Sequence, residues 1–214
     1  NPYYVQSPGM GLKKYASCYH THRAIDALLQ IMAQHHLTYD DVAEVEVGTM
    51  PSVLRTLAFP EPATGYQGKF SMPHVIGCTL LDGKVTLDTF SDQKVRDPLA
   101  LEARKKVRLS FPDLPIWPGL PDQGPDTVFV GNPVTVRTSS GRTYTARVDT
   151  LHGEPSDPLT DQELLSKLAD AAAPVLSPEE IARCGQLALK LEQLPDLGEL
   201  MRLLMTPTKV ASRA

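Results

Sequence analysis

Apolar residues recur at helical spacing early in the chain, where Ala24, Leu28, Ile31 and Met32 share one side with His35. That spacing predicts an amphipathic helix over 21–36 with Thr21 as its N-cap. The period then changes. Ala43, Val45 and Val47 alternate with Glu44 and Glu46, which predicts a half-buried strand over 42–49. Residues 69–81 are apolar nearly all round and stop at Asp82-Gly83, the pattern of a buried central helix. Ser91 caps a short helix, Asp97-Pro98 opens another, and 105–110 reads as a strand with Val107 and Leu109 facing in. Two alternating runs, 134–138 and 143–149, flank Ser139-Ser140-Gly141-Arg142 and predict a β-hairpin.

After Gly153-Glu154-Pro155 the pattern is helical to Leu204. Thr160 with Glu163, Ser177 with Glu180 and Asp196 with Glu199 have the spacing of capping boxes. The predicted class is α+β, a small, mainly antiparallel sheet covered by helices and followed by a C-terminal helical segment. The expected divisions are a domain over 1–156, a helical segment over 157–206 and a flexible tail over 207–214. Short apolar helices at the end of a chain need something to cover them.

The proline-rich parts add loops. Residues 1–12, with Pro2, Pro8, Gly9 and Gly11, read as an extended lead-in, 51–68 as a long loop with one helical turn, and 112–125 as a surface excursion. With 214 residues the chain is long enough to bury a core, and its 42% hydrophobic and 21% charged content is that of an ordinary globular protein. A net charge of -4 argues against nucleic acid or an anionic membrane surface as the main partner. No apolar run reaches the roughly 20 residues of a membrane span. Cys18, Cys78 and Cys184 fit neither a disulfide framework nor a CxxC metal site, so a reducing, cytoplasmic setting is expected. The histidine spacings give no zinc pattern, and no metal or cofactor is expected.

Candidate chemistry concentrates in 13–26, Lys-Lys-Tyr-Ala-Ser-Cys-Tyr-His-Thr-His-Arg-Ala-Ile-Asp, which places two lysines, a thiol, two imidazoles, a guanidinium and a carboxylate at the entrance to the first helix. His22 falls in the first turn, where unpaired N–H groups and the helix dipole favour an anion. The stretch Lys-x-Tyr-x-x-Cys-x-x-Thr-His-x-Ala-Ile-Asp resembles the opening of the C-terminal domain of the MmgE/PrpD family. Lys69-Phe70-Ser71-Met72-Pro73-His74, Leu81-Asp82-Gly83-Lys84-Val85 and Asp157-Pro158-Leu159-Thr160 continue the resemblance in order. Lys14 stands where the family usually has proline, and His74 where it has tyrosine.

The resemblance implies the lid-like C-terminal domain of a lyase acting on a small di- or tricarboxylate, as 2-methylcitrate dehydratases do. Cis-aconitate decarboxylase and iminodisuccinate epimerase are alternatives within the family. It implies metal-independent proton abstraction or donation next to a carboxylate, with Lys13, His22 and Cys18 as catalytic candidates and Lys13, Lys69 and Ser71 as substrate-binding ones. Each also has a plainer reading: a solvated lysine, a packing histidine, a small buried thiol, a helix-entry lysine and a capping serine. The base is Cys18 or a residue of a helical domain that precedes this part in the family, so the chain alone is expected to be inactive. A homodimer is expected. Outside enzyme chemistry, the alternatives are a carboxylate-binding module and a subunit-association module.

Overall fold

The structure, a computed structural model, describes residue 3 and residues 9–112 and 131–205. The predicted excursion beyond Pro112, the tail after Met205 and most of the lead-in before Gly9 lie outside the described residues. By contacts the chain divides into two compact units, Asn1–Asp157 and Pro158–Ala214.

The first unit begins with α1, Tyr19–His35, two residues ahead of the predicted start, because Cys18 and not Thr21 takes the N-cap position. Thr21 instead donates its hydroxyl back to the Cys18 carbonyl at 2.8 Å. The helix closes at His36, whose left-handed backbone returns its N–H to the Met32 carbonyl. Strand β1, Val42–Gly48, buries Val42, Val45 and Val47. A bulge between Val42 and Glu44 resets the alternation, so Val42 and not Ala43 reaches the core. The long loop contains two short helical turns, the 3₁₀ turn Pro51–Arg55 and α2, Gly65–Gly68.

Helix α3, Met72–Asp82, starts three residues later than its apolar run suggests, since Ser71 caps it by accepting the His74 N–H, and Gly83 ends it in the left-handed region. At its middle a Cβ on Gly77 would lie 2.8 Å from the Arg104 nitrogen, so glycine is what allows α3 to touch α5. Ser91 caps α4, Asp92–Arg96, and Asp97 caps α5, Pro98–Lys105, as predicted. They lead to β2, Val107–Ser110, and the hairpin follows as β3, Pro133–Thr138, and β4, Thr143–Arg147.

The sheet order is β2-β1-β3-β4. It is mixed: β1 pairs antiparallel with β3, and β3 with β4, but β2 returns through α2 to α5 and so lies parallel to β1. Helix α1 rests on β3 and β4 and against α3, and α3 packs on α5 and β2. Ile25, Leu28, Ile31, Ile76 and Leu80 join the sheet valines in one core. On the sheet, Glu44 and Glu46 pair across strands with Arg108, and Glu44 also with Arg137.

The second unit holds α6, Asp161–Ala172, α7, Pro178–Ala188, and α8, Gly198–Leu204. Helix α6 packs on α7, and α7 on α8. Both predicted capping boxes at Thr160 and Ser177 form. The third does not. Leu197 occupies the cap position of α8, Asp196 accepts the Gly198 N–H at 2.7 Å, and Glu199 turns to Arg183 in a two-pronged pair at 2.6 and 2.8 Å. No helix among the described residues is long and apolar enough to cross a membrane.

Candidate active site

Lys13 reaches its place because the chain before it is tied to a distant turn. The Leu12 N–H donates to the Gly153 carbonyl at 2.7 Å. Gly11 packs where a Cβ would sit 3.1 Å from the Tyr19 hydroxyl and 3.7 Å from the Glu154 Cα, and Gly9, with φ +98°, meets the Pro155 ring. Glycine at both positions lets the lead-in lie flat against the 153–155 turn.

The two segments and the start of α1 line an open cavity of about 710 Å³. Gly9, Gly11, Lys13 and Tyr19 line it together with Glu154, Pro155 and Ser156. The size suits a small organic ligand. The Lys13 ammonium donates to the Ser17 carbonyl at 3.3 Å and lies 6.0 Å from the centre of the Tyr19 ring. Tyr19 donates its hydroxyl to Glu154 at 3.3 Å. Burial first, and then the Glu154 charge, push the Tyr19 pKa up, so the phenol stays protonated and serves as a donor.

Around this cavity the first turn of α1 carries more charge. Arg23 donates to the Asp149 carbonyl at 3.1 Å and feels the charges of Glu154 and Asp149. His20 is held below its ordinary value by burial and then by Arg23 and Lys13, so its imidazole is neutral at pH 7. Tyr15 donates to Asp26 at 2.6 Å, and Lys14 stands 3.9 Å from the same carboxylate. Burial raises the Asp26 pKa against both.

The other residues singled out in the sequence lie outside the lining. Cys18 is buried at the N-cap of α1. His22 is 1% exposed, with its ring 5.2 Å from that of Tyr15 and 5.0 Å from that of Tyr19. The structure does join the two predicted motifs, since the Cys18 N–H donates to the Lys69 carbonyl at 2.9 Å. Lys69 itself follows α2 and does not open α3, and its ammonium lies 5.9 Å from the Phe90 ring. Ser71 is fully buried and its hydroxyl caps α3. His74 donates from Nε2 to the Thr89 carbonyl at 2.8 Å and lies beside Cys78, whose thiol burial pushes up to about 12. Among the described residues no group of three His, Cys, Asp or Glu could hold a metal ion.

Tyr19 and Glu154 are the cavity residues that sequence reasoning missed. They stand 135 positions apart. Nothing local to Glu154 marks it, and only the pairing of the lead-in with its turn brings it to Lys13.

The family model for the MmgE/PrpD C-terminal domain matches residues 15–193. The cis-aconitate decarboxylase of Mus musculus is 32% identical over 151 residues, 70% of this chain and 29% of the mouse protein. The cis-aconitate decarboxylase of Homo sapiens is 26% identical over 211 residues, 96% of this chain and 42% of the human protein. The chain therefore spans less than half the length of these curated relatives.

Proposed function

The chain belongs to the MmgE/PrpD family, and from that premise we propose that it is the lid-like C-terminal domain of a lyase acting on a small di- or tricarboxylate. The observation that carries this reading is the Lys13 ammonium on the wall of a ligand-sized cavity, held by Ser17 and the Tyr19 ring. Loss of water or carbon dioxide next to a carboxylate moves a proton at carbon while negative charge builds on oxygen. A cation fixed in place before the reaction stabilises that charge more than it stabilises the ground state. Lys13 is the binding cation, and no metal takes part.

Cys18 and His22 are the proton-handling candidates in the same turn, and Lys69 is a second cation on the strand of chain tied to Cys18. If Cys18 or His22 moves a proton, Cys18→Ala or His22→Gln lowers kcat with KM little changed. If they only pack, the same variants lower stability alone. The exposed leucines and methionines of the second unit are the surface for a helical domain, which supplies the rest of the site.

Two reactions are supported by different observations. Dehydration of a hydroxytricarboxylate such as 2-methylcitrate follows from the motif resemblance, and decarboxylation of cis-aconitate is the activity named for the two relatives. The test is an assay of the protein as its native reading frame encodes it, with 2-methylcitrate, cis-aconitate and iminodisuccinate. Wild type should turn over at least one, and Lys13→Ala should lower kcat/KM by about a hundredfold or more, as loss of a preorganised charge-stabilising group does. Turnover of none, or a Lys13→Ala variant as active as wild type, would sink the proposal.

A further inference from the structure

Glu154 is an unexpected group in a cavity meant for carboxylates. An ionised carboxylate only accepts hydrogen bonds, through two oxygens with about four lone-pair sites. Tyr19 occupies one of these at 3.3 Å. Glu154 lines the same pocket as Lys13.

The backbone that carries this carboxylate is held in place. The Glu154 N–H donates to the Leu151 carbonyl at 3.1 Å, its carbonyl accepts from Asp157 at 2.9 Å, and the Gly153 carbonyl before it accepts from Leu12. Arg23 partly offsets its charge. The turn that carries Glu154 is thus fixed, and a ligand anionic at every end would meet like charge in the pocket. A ligand that offers a hydroxyl or protonated amine at that end would instead make a charge-assisted hydrogen bond.

Resting on the reading of the cavity as a carboxylate site, we infer that Glu154 is its specificity-determining residue. Lys13 takes a carboxylate of the substrate, and Glu154, which accepts from Tyr19, takes a donor group of the same molecule. The substrate class is therefore a hydroxy- or amino-substituted polycarboxylate, in preference to one that lacks a donor. Of the reactions above, this favours elimination of water from a hydroxytricarboxylate.

Citrate and tricarballylate differ by one hydroxyl, which makes them a direct probe. Calorimetric binding to the protein of the native reading frame should favour citrate by about ten- to a hundredfold, the range for a hydrogen bond to a charged group. In Glu154→Gln, which keeps the side-chain shape and an acceptor for Tyr19, the preference should shrink to within about threefold, through weaker citrate binding alone. Lys13→Ala should weaken both ligands and keep their ratio.

Glu154→Asp guards against a trivial result from a disturbed turn, since it keeps the charge and should retain part of the preference. Equal binding of the two ligands by wild type overturns the inference and leaves the carboxylate site standing. A Glu154→Gln variant that weakens both ligands equally overturns it too, because that is the mark of a residue that only braces the turn. Binding of neither ligand overturns both readings. A Glu154-dependent preference without turnover of any substrate keeps the inference and removes the lyase.

Discussion

In the first unit Ile25, Leu28, Ile76 and Leu80 are 0–1% exposed, while in the second Leu197, Met201 and Leu204 are 50, 45 and 57% exposed. Both units contain amphipathic helices, yet they are specified differently. The helices of the first are fixed by what they cover: α1 on the hairpin strands, α3 between α5 and β2. Those of the second are fixed largely by their ends, through two capping boxes and the Arg183–Glu199 pair. Local signals suffice to make a helix, but a unit acquires a core only when its apolar faces have somewhere to go.

The largest expected effect lies in the first unit. Ile25→Ala should cost about 2–5 kcal/mol in urea unfolding, the range for deleting a fully buried aliphatic side chain. A cost below that of an exposed leucine in the second unit would break the contrast.

A pH series separates the units without large changes to packing. Burial, helped by Arg104 and Lys94, holds His74 below the ordinary 6.5, against the opposing bond to the Thr89 carbonyl and the charge of Asp82. The unfolded chain takes up a proton near pH 6.5 that the folded chain refuses until lower pH. Stability of the first unit is therefore full above that value and falls as pH drops from it towards the folded pKa. His20 adds a slope of the same sign. His74→Gln should flatten the slope, as read by unfolding at pH 5 to 8, and an unchanged slope would remove His74 as a source.

Smaller effects sharpen the comparison in the second unit. Ser177→Ala should cost about 1 kcal/mol, because it leaves the Glu180 N–H without its cap. Met201→Gln should change stability by no more than about 0.5 kcal/mol in this chain, as exposed substitutions do. A cost of several times that would mean Met201 is already covered.

The same division explains what could be read from the sequence. The caps at Thr160, Ser177, Ser91 and Asp97 are signals four residues long or less, and each forms. The hairpin about Gly141 is equally local. The bulge at Ala43 was not legible, because a neighbour in space decides it: β3 sets the register of β1. The start of α3 at Met72 had a local mark in the Ser71 cap, which the apolar run beginning at Lys69 overshadowed. Parallel pairing of β2 follows from the path of α2 to α5, which no alternation records. At the site Lys13 was legible from its motif. Tyr19 lay inside that motif but carried no distinguishing spacing, and Glu154 belongs to a turn whose own residues give no sign of the lysine it faces.

The bond from Leu12 to Gly153 also sets an order of events during synthesis. One wall of the cavity is made at the start of the first unit and the other at its end, with the whole sheet between them. A chain emerging from the ribosome can build α1, the strands and most of the core before the second wall exists, and contacts this remote in sequence form late. A chain interrupted anywhere before Gly153 therefore has its lysine and no pocket to hold it in.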